Sequence, residues 1–236
     1  MCGRFTLTIE DRELIASLLG IPTSEVDDSW QPRWNVAPMQ EHWIVRPAGG
    51  GEDRELARAT WGLVNAWDRD RNGAARQINA RSESLEERPA YRDAFRAARC
   101  IVPADGFYEW TGERQSRRPF WFHRPDDGLL LFAGLFTEAQ LPGELRPTTT
   151  FTIVTTPASG AVSQIHDRMP AILEDEQAAD DWLARGQSPE RLHELLRPAS
   201  PDTLVARAVS RRVNAVAVDD PACLVEAESD TQGALF

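Results

Sequence analysis

Apolar positions recur along this chain at two different spacings. In "TIEDRELIASLLG", Leu14, Ile15, Leu18 and Leu19 form one stripe at helical spacing, with Thr8 placed to cap its start and Gly20 to stop it. "RSESLEERPAYRDAFRAARC" predicts a helix that begins near Pro89 and ends before Cys100. "DEQAADDWLARG" and "SPERLHELLRP" predict two more short helices, Ser188 and Pro189 making a cap and first-turn pair. The other spacing is that of strands. "EHWIVRP", "TTTFTIVTT", "TLVARAVS" and "ACLVE" read as single strands, and "CIVPADGFYEW" as a strand, a turn and a strand. "RPFWFHR" and "LLLFAGLF" flank "PDDG", which predicts a hairpin. "AGGGED" reads as a flexible loop and the closing "AESDTQGALF" as a frayed acidic tail.

Strands outnumber helices and do not alternate with them, which argues against a doubly wound parallel sheet. No internal repeat or Gly/Ser/Pro-rich linker divides the chain. The pattern predicts one α+β domain built around antiparallel strands. With 236 residues, 42% of them apolar, and eight tryptophans, the chain can bury a substantial core. No apolar run reaches the roughly 18 residues of a membrane span. The first twenty residues lack the basic start and apolar stretch of a signal peptide, so the expected location is cytoplasmic. Three cysteines without C-x-x-C spacing argue against a disulfide framework and a zinc site; no metal and no cofactor is expected.

The net charge of −11 speaks against a general nucleic-acid binder, since such binding rests on neutralising phosphates. Every basic residue is nevertheless arginine, the better fork for phosphate and carboxylate. High-GC codon usage or an acidic, salt-adapted surface also explains that bias and is the favoured cause over a functional one. Neither excludes one small basic cleft within the acidic shell.

Four polar segments beside turns or strand ends carry candidate chemistry: "MCGR", "NARSE", "DGFYEW" and "IHDRMP". A cysteine at position 2 has little upstream chain to cover it and suits chemistry better than a core. Loss of Met1 would give Cys2 a free α-amine beside its thiol. Such an amine has a pKa near 7.7–8.0, so roughly a tenth to a sixth is the neutral nucleophile at pH 7. It can condense with an aldehyde, and the thiol can then close a five-membered thiazolidine on the imine. Glu109 lies between two aromatics, where desolvation raises a carboxyl pKa and suits it to proton transfer; a surface-facing strand position is the plain alternative. His166 precedes Arg168 and Pro170 in a rigid loop, whereas His42, His123 and His193 have the contexts of strand or helix surface. Asn79 is a turn former or an amide that orients a reacting group. Arg4, Arg81 and Arg168 each stand two residues from Cys2, Asn79 and His166, as surface charges or as a phosphate clamp.

Taken together and in order, "MCGRF", "RWNVAP", "WGLVNAW", "INARSE", "RCIVPADGFYEW", "AGLF", "FTIVTTPA" and "IHDRMPAIL" resemble the SRAP family, the SOS-response-associated peptidase domain that shields abasic sites in single-stranded DNA. Each motif is weak alone; the ordered set is specific and nearly chain-long. Asn65 and Met39 depart from the family pattern, at positions that bear on a DNA groove and not on the chemistry.

The resemblance implies a single SRAP-type domain over residues 1–226, with a curved, barrel-like antiparallel core and peripheral helices, followed by a tail at 227–236. It implies that Cys2 is the covalent residue, joined to the opened sugar of an abasic site. Glu109 assists ring opening and imine formation, His166 serves the sugar oxygen and reversal, and Asn79 holds cysteine and sugar in register. Arg4, Arg81 and Arg168 bind flanking phosphates. Trp67 and the segment from Asn35 to Pro38 line the groove, where an aromatic can stack on a base. The implied partner is single-stranded DNA containing abasic sites, bound by a monomer. Other readings are a cysteine peptidase or thiol hydrolase, including removal of its own Met1, and a noncovalent single-strand-binding module. Strand cleavage by β-elimination from the imine is a further side reaction.

Overall fold

Five strands close on one another, and which ones do so explains where the chemistry sits. The structure is a computed structural model that describes residues 2–49, 53–113 and 116–227. In chain order its elements are β1 (Phe5–Leu7), α1 (Arg12–Leu19), β2 (Arg33–Val36), β3 (Glu41–Pro47), β4 (Arg54–Trp61), β5 (Asn79–Arg81) and α2 (Pro89–Ala97). There follow β6 (Arg99–Ala104), β7 (Gly106–Thr111), β8 (Arg118–His123), β9 (Leu130–Ala139), β10 (Thr148–Pro157), β11 (Arg168–Pro170) and β12 (Ile172–Leu173). The chain ends with α3 (Glu176–Leu183), α4 (Pro189–Leu195) and β13 (Val205–Ala208). Half of "AGGGED", residues 50–52, and all but the first residue of the expected tail lie outside the described residues.

β3 pairs with β4, β4 with β10, β10 with β9, β9 with β6, and β6 back with β3, so the five form a closed barrel; only β4–β10 is parallel. Side chains alternate across its wall, as strand geometry requires. Ile44, Val102, Phe132 and Ile153 join one buried cluster, while their chain neighbours Val45, Ile101, Ala133 and Val154 join another. The second cluster also holds Ile15, Leu19, Phe95, Trp182 and Leu192, so the helices cover that outer face. A second sheet, in the order β13-β8-β7-β1-β2, packs against the barrel's other cluster through Phe5, Phe107 and Phe122. This is the α+β, barrel-cored domain that the sequence implied.

The predicted "PDDG" hairpin does not form. β8 pairs with β7 and β13, whereas β9 pairs with β6, β10 and β12. Instead β6–β7 and β8–β9 are two lengths of one antiparallel ribbon whose tip is the loop before Arg118. Its inner half belongs to the barrel and its outer half to the second sheet. "PDDG" is the slack that lets the returning strand change sheets; apolar alternation cannot say which sheet a strand joins.

Asp105 sits at the corresponding bend of the outgoing strand. Its carboxylate accepts from Thr6 Oγ1 at 2.5 Å, from the Thr8 N–H at 2.5 Å and from Thr8 Oγ1 at 2.6 Å. Thr8 is therefore spent on Asp105, and α1 is capped three residues later by Asp11, which accepts from the Glu13 and Leu14 N–H groups. Gly106 follows because a Cβ there would lie 2.1 Å from Trp121 Nε1, which donates to Thr6 Oγ1 at 3.1 Å. Asp105→Asn should cost roughly 2 kcal/mol in urea unfolding, since the amide puts an NH2 donor where one buried carboxylate oxygen now accepts and leaves the donors there unpaired.

Two other expectations fail locally. "ACLVE" is a 3-10 turn, Pro221–Cys223, whose entry is capped by Asp220, and it leaves only a bridge between Val209 and Glu226. His42 is not on a surface: it is buried, shares the face of Ile44, meets Phe5 edge-on and has its Nε2 3.2 Å from Pro103 O. Burial lowers its pKa to about 3, so it stays neutral.

Candidate active site

The N-terminal segment enters the second sheet beside β7. Phe5 faces Phe107, and the Tyr108 N–H donates to Arg4 O at 3.0 Å. Carrying this antiparallel register one step further sets Gly3 across from Glu109 and Cys2 just beyond it. β5 arrives from the barrel side, parallel to β10 with Asn79 beside Ile153. Asn79 Nδ2 donates to Cys2 O at 2.7 Å, and Tyr91 OH on α2 donates to Asn79 O at 3.3 Å. Asn79 Oδ1 is buried with no partner of its own among the described residues.

His166 stands in the loop between a 3-10 turn at Val162–Gln164 and β11. Its Nδ1 is 2.9 Å from both the Arg168 N–H and Asp167 Oδ1. When neutral at Nδ1 it accepts from the first; when charged it donates to the second. Glu109 and His166 line the same cleft of about 500 Å³, together with Gly3, Arg4, Trp110, Gly112, Arg117 and Asn214. Burial raises the pKa of Glu109 above the ordinary carboxylate value, and the neighbouring His166 charge pulls against it. The Cys2 thiol is raised strongly, chiefly by burial and then by the charge of Glu109. Glu109 and His166 thus share the cleft wall with Gly3, the residue after Cys2, while Asn79 grips the Cys2 backbone.

Cys2 is not the loosely covered residue expected from its position. Met1 precedes it in the chain, and its side chain is fully buried, in the cluster of Phe5, Val36 and Trp61. Its Sγ lies 3.7 Å from Arg4 O. β1 is the inner strand between β7 and β2, and that placement carries the residues just before it into the core.

The arginines do not gather around one cavity. Arg4 lines the cleft, with Nη1 donating to Asn35 Oδ1 at 2.9 Å and to Val213 O at 2.8 Å. Arg168 is buried, and its fork is spent on both oxygens of Glu83, at 2.5 and 2.9 Å, and on Thr155 O at 2.6 Å. Arg81 is exposed at the end of β5 and is not among the residues lining the cleft. Asn35 does not line a groove: its side chain is fully buried and its amide donates to Val213 O, Ala215 O and Val218 O. Pro38 is half-buried and Trp67 is 57% exposed. Asn65, one of the two departures, is buried and bonded to Asp68 and Gln77. Met39, the other, is exposed at a positive φ of 68°.

Sequence reasoning missed Trp110, Arg117 and Asn214 as cleft residues. Trp110 was legible as the neighbour of Glu109. Asn214 had no local signal, for it reaches the cleft only because the C-terminal segment folds back.

A closed barrel with a second sheet is the architecture expected of the SRAP domain. The family's sequence model, SOS response associated peptidase, matches residues 1–216, and the chain belongs to this family. It is 36% identical over 223 residues to the abasic site processing protein YoqW of Bacillus subtilis, covering 94% of this chain and 97% of that one. It is 31% identical to the abasic site processing protein HMCES of Gallus gallus, covering 84% of this chain and 67% of that one. Among solved structures, a protein from Bacteroides thetaiotaomicron superposes with a TM-score of 0.78 at 22% identity, over 96% of this chain and all of that one. A phage-related protein from Bordetella bronchiseptica gives 0.69 at 26% identity, over 89% of this chain and 95% of that one.

Proposed function

We propose that this protein processes abasic sites in single-stranded DNA, forming a covalent adduct through Cys2 once Met1 has been removed. The carrying observation is the grip of Asn79 on the Cys2 carbonyl, at 2.7 Å, next to a cleft lined by Glu109 and His166. The names of the relatives, abasic site processing proteins, supply the substrate class.

The chemistry runs in two steps. The sugar of an abasic site opens to an aldehyde, and the neutral Cys2 amine attacks it. A C–N bond forms, water leaves, and the product is an imine. The thiol then adds across the C=N bond: sulfur bonds to carbon and its proton passes to nitrogen, closing a thiazolidine. A carboxyl whose pKa burial has raised can give a proton to the departing oxygen and take the thiol proton in turn. The burial of the thiol fits this order, because the amine makes the first bond and the sulfur is then delivered within the same residue. His166, at the cleft wall, serves the sugar oxygen. Arg4 meets a flanking phosphate, and exposed Trp67 offers a stacking surface beyond the cleft.

The thiol-hydrolase reading needs a thiolate. Burial and the charge of Glu109 both push the Cys2 pKa up, and His166 Nδ1 lies 2.9 Å from the Arg168 N–H and from Asp167 Oδ1. The environment favours a thiol that stays protonated until an imine is beside it.

Incubating the protein with an oligonucleotide carrying one abasic site should give a shifted band on a denaturing gel; no band overturns the proposal. Glu109→Gln should slow band formation and at the same time raise Tm at pH 7. A raised folded-state carboxyl pKa means ionisation opposes folding, so stability is lost as pH rises from the ordinary value toward the folded one. The variant's gain in Tm should vanish below pH 4, where both forms are neutral.

A further inference from the structure

The C-terminal segment after β13 wraps back over β2 and ends up inside the candidate site. Asp219 fixes it there, accepting from the Trp34 N–H at 2.6 Å and the Asn35 N–H at 2.8 Å, and pairing with Arg33. Asn35 returns the grip by donating to three carbonyls of the segment. Held this way, the 3-10 turn Arg211–Asn214 supplies two acceptors to the cleft. Val213 O takes Arg4 Nη1 at 2.8 Å, and Asn214 Oδ1 takes Trp110 Nε1 at 2.6 Å. The Arg4 guanidinium lies 5.9 Å from the centre of the Trp110 ring. Only Nη1 of the guanidinium has hydrogen-bond partners among the described residues, so Nε and Nη2 keep three N–H groups for an anion.

We propose that Asn214 is a positioning residue of the DNA site: by anchoring Trp110, it holds the surface on which Arg4 is oriented toward a phosphate. The inference deepens the function proposed above and rests on it for the identity of the anion. It also gives the segment around 210–224 a role in recognition as well as in the fold. Asn214 and its bond to Trp110 are exposed, so removing the side chain leaves the core intact.

The test uses Asn214→Ala, Trp110→Phe, which removes the N–H donor, and the double variant. Binding is measured to a single-stranded oligonucleotide carrying a reduced, alcohol form of the abasic sugar, which has no aldehyde to react. Adduct formation is measured separately with the aldehyde form. Asn214→Ala should raise Kd and the half-saturating concentration for adduct formation by roughly threefold to tenfold, the worth of one hydrogen bond. Its limiting rate and Tm should stay at wild-type values. The double variant should bind no more weakly than the weaker single one, because both changes break the same contact. An unchanged Kd for Asn214→Ala overturns the inference, as does additive weakening in the double variant, which would make Asn214 a direct DNA contact. Wild-type protein that forms no adduct overturns the function instead, and the binding arm still reads the inference.

Discussion

Cys2→Ala is expected to abolish the heat-stable DNA adduct, by at least about a hundredfold, while leaving an imine that borohydride can trap. The argument is one of proximity. Alanine at the mature N-terminus retains the α-amine, and Asn79 Nδ2 bonds to the backbone carbonyl of residue 2, which the substitution keeps. The first step therefore survives. The second does not, for the thiol that closes the ring is carried by residue 2 itself, on the carbon next to the one that bears the amine. An intramolecular thiol acts at an effective concentration far above any thiol in solution, so its loss is not replaced from outside. Without it the imine reverts by hydrolysis or eliminates, and strand cleavage should rise as the adduct falls. Acetylating the mature amine should stop both imine and adduct, since the nucleophile itself is then gone. A heat-stable band from Cys2→Ala would show that the thiol closes no ring, and a thiol hydrolase would lose activity in Cys2→Ala but keep it after acetylation.

How much of this was readable beforehand depends on whether a residue's task is local. The start of α4 was legible because Ser188 and Pro189 do their work within one turn; Ser188 does accept from the Arg191 N–H. The start of α1 was misplaced because Thr8, a sound cap by type, is claimed by Asp105 from 97 positions away. His42 shares a face with buried Ile44, so the alternation of "EHWIVRP" carried the information, but the polar type outweighed it. At the site, the ordered motifs marked Cys2, Asn79, Glu109 and His166; the fold sets Asn79 on the Cys2 carbonyl and puts Glu109 and His166 on one cleft that Gly3 also lines. The motifs could not assign partners to arginines. Arg168 is neutralised by Glu83 and Asn35 serves the C-terminal segment, and both pairings depend on chain crossings that no spacing encodes.

Arg99→Leu is expected to be the most destabilising single change outside the site, costing about 3–5 kcal/mol and lowering Tm by roughly 10 °C. Arg99 is buried where two helices end. Its Nε donates to Trp182 O at 2.6 Å and its Nη2 to Ala184 O at 2.5 Å, at the end of α3. Its Nη1 donates to Phe95 O at 2.7 Å and Arg96 O at 2.8 Å, in the last turn of α2. Helix C-termini leave carbonyls without intrahelical partners and carry partial negative charge, so one cation satisfies both. Burial lowers the Arg99 pKa, but from so high a value that the group stays charged. Exchanging a buried ion pair for apolar side chains is often harmless, because both charges leave together. Here the partners are main-chain carbonyls, which no substitution removes, and they would be stranded against Trp182 and Phe95. Arg99→Lys should lose about half as much, since one ammonium offers three donors in place of the four bonds now made. Arg99 also begins β6, the strand that runs through the bend at Asp105 to Glu109, so it fixes the near end of the ribbon that carries the acid. At 25 °C, with both variants still folded, adduct formation should stay within about twofold of wild type. Urea unfolding read by far-UV circular dichroism, beside the gel assay, separates the two effects. An Arg99→Leu protein as stable as wild type would mean that these helix ends need no cation.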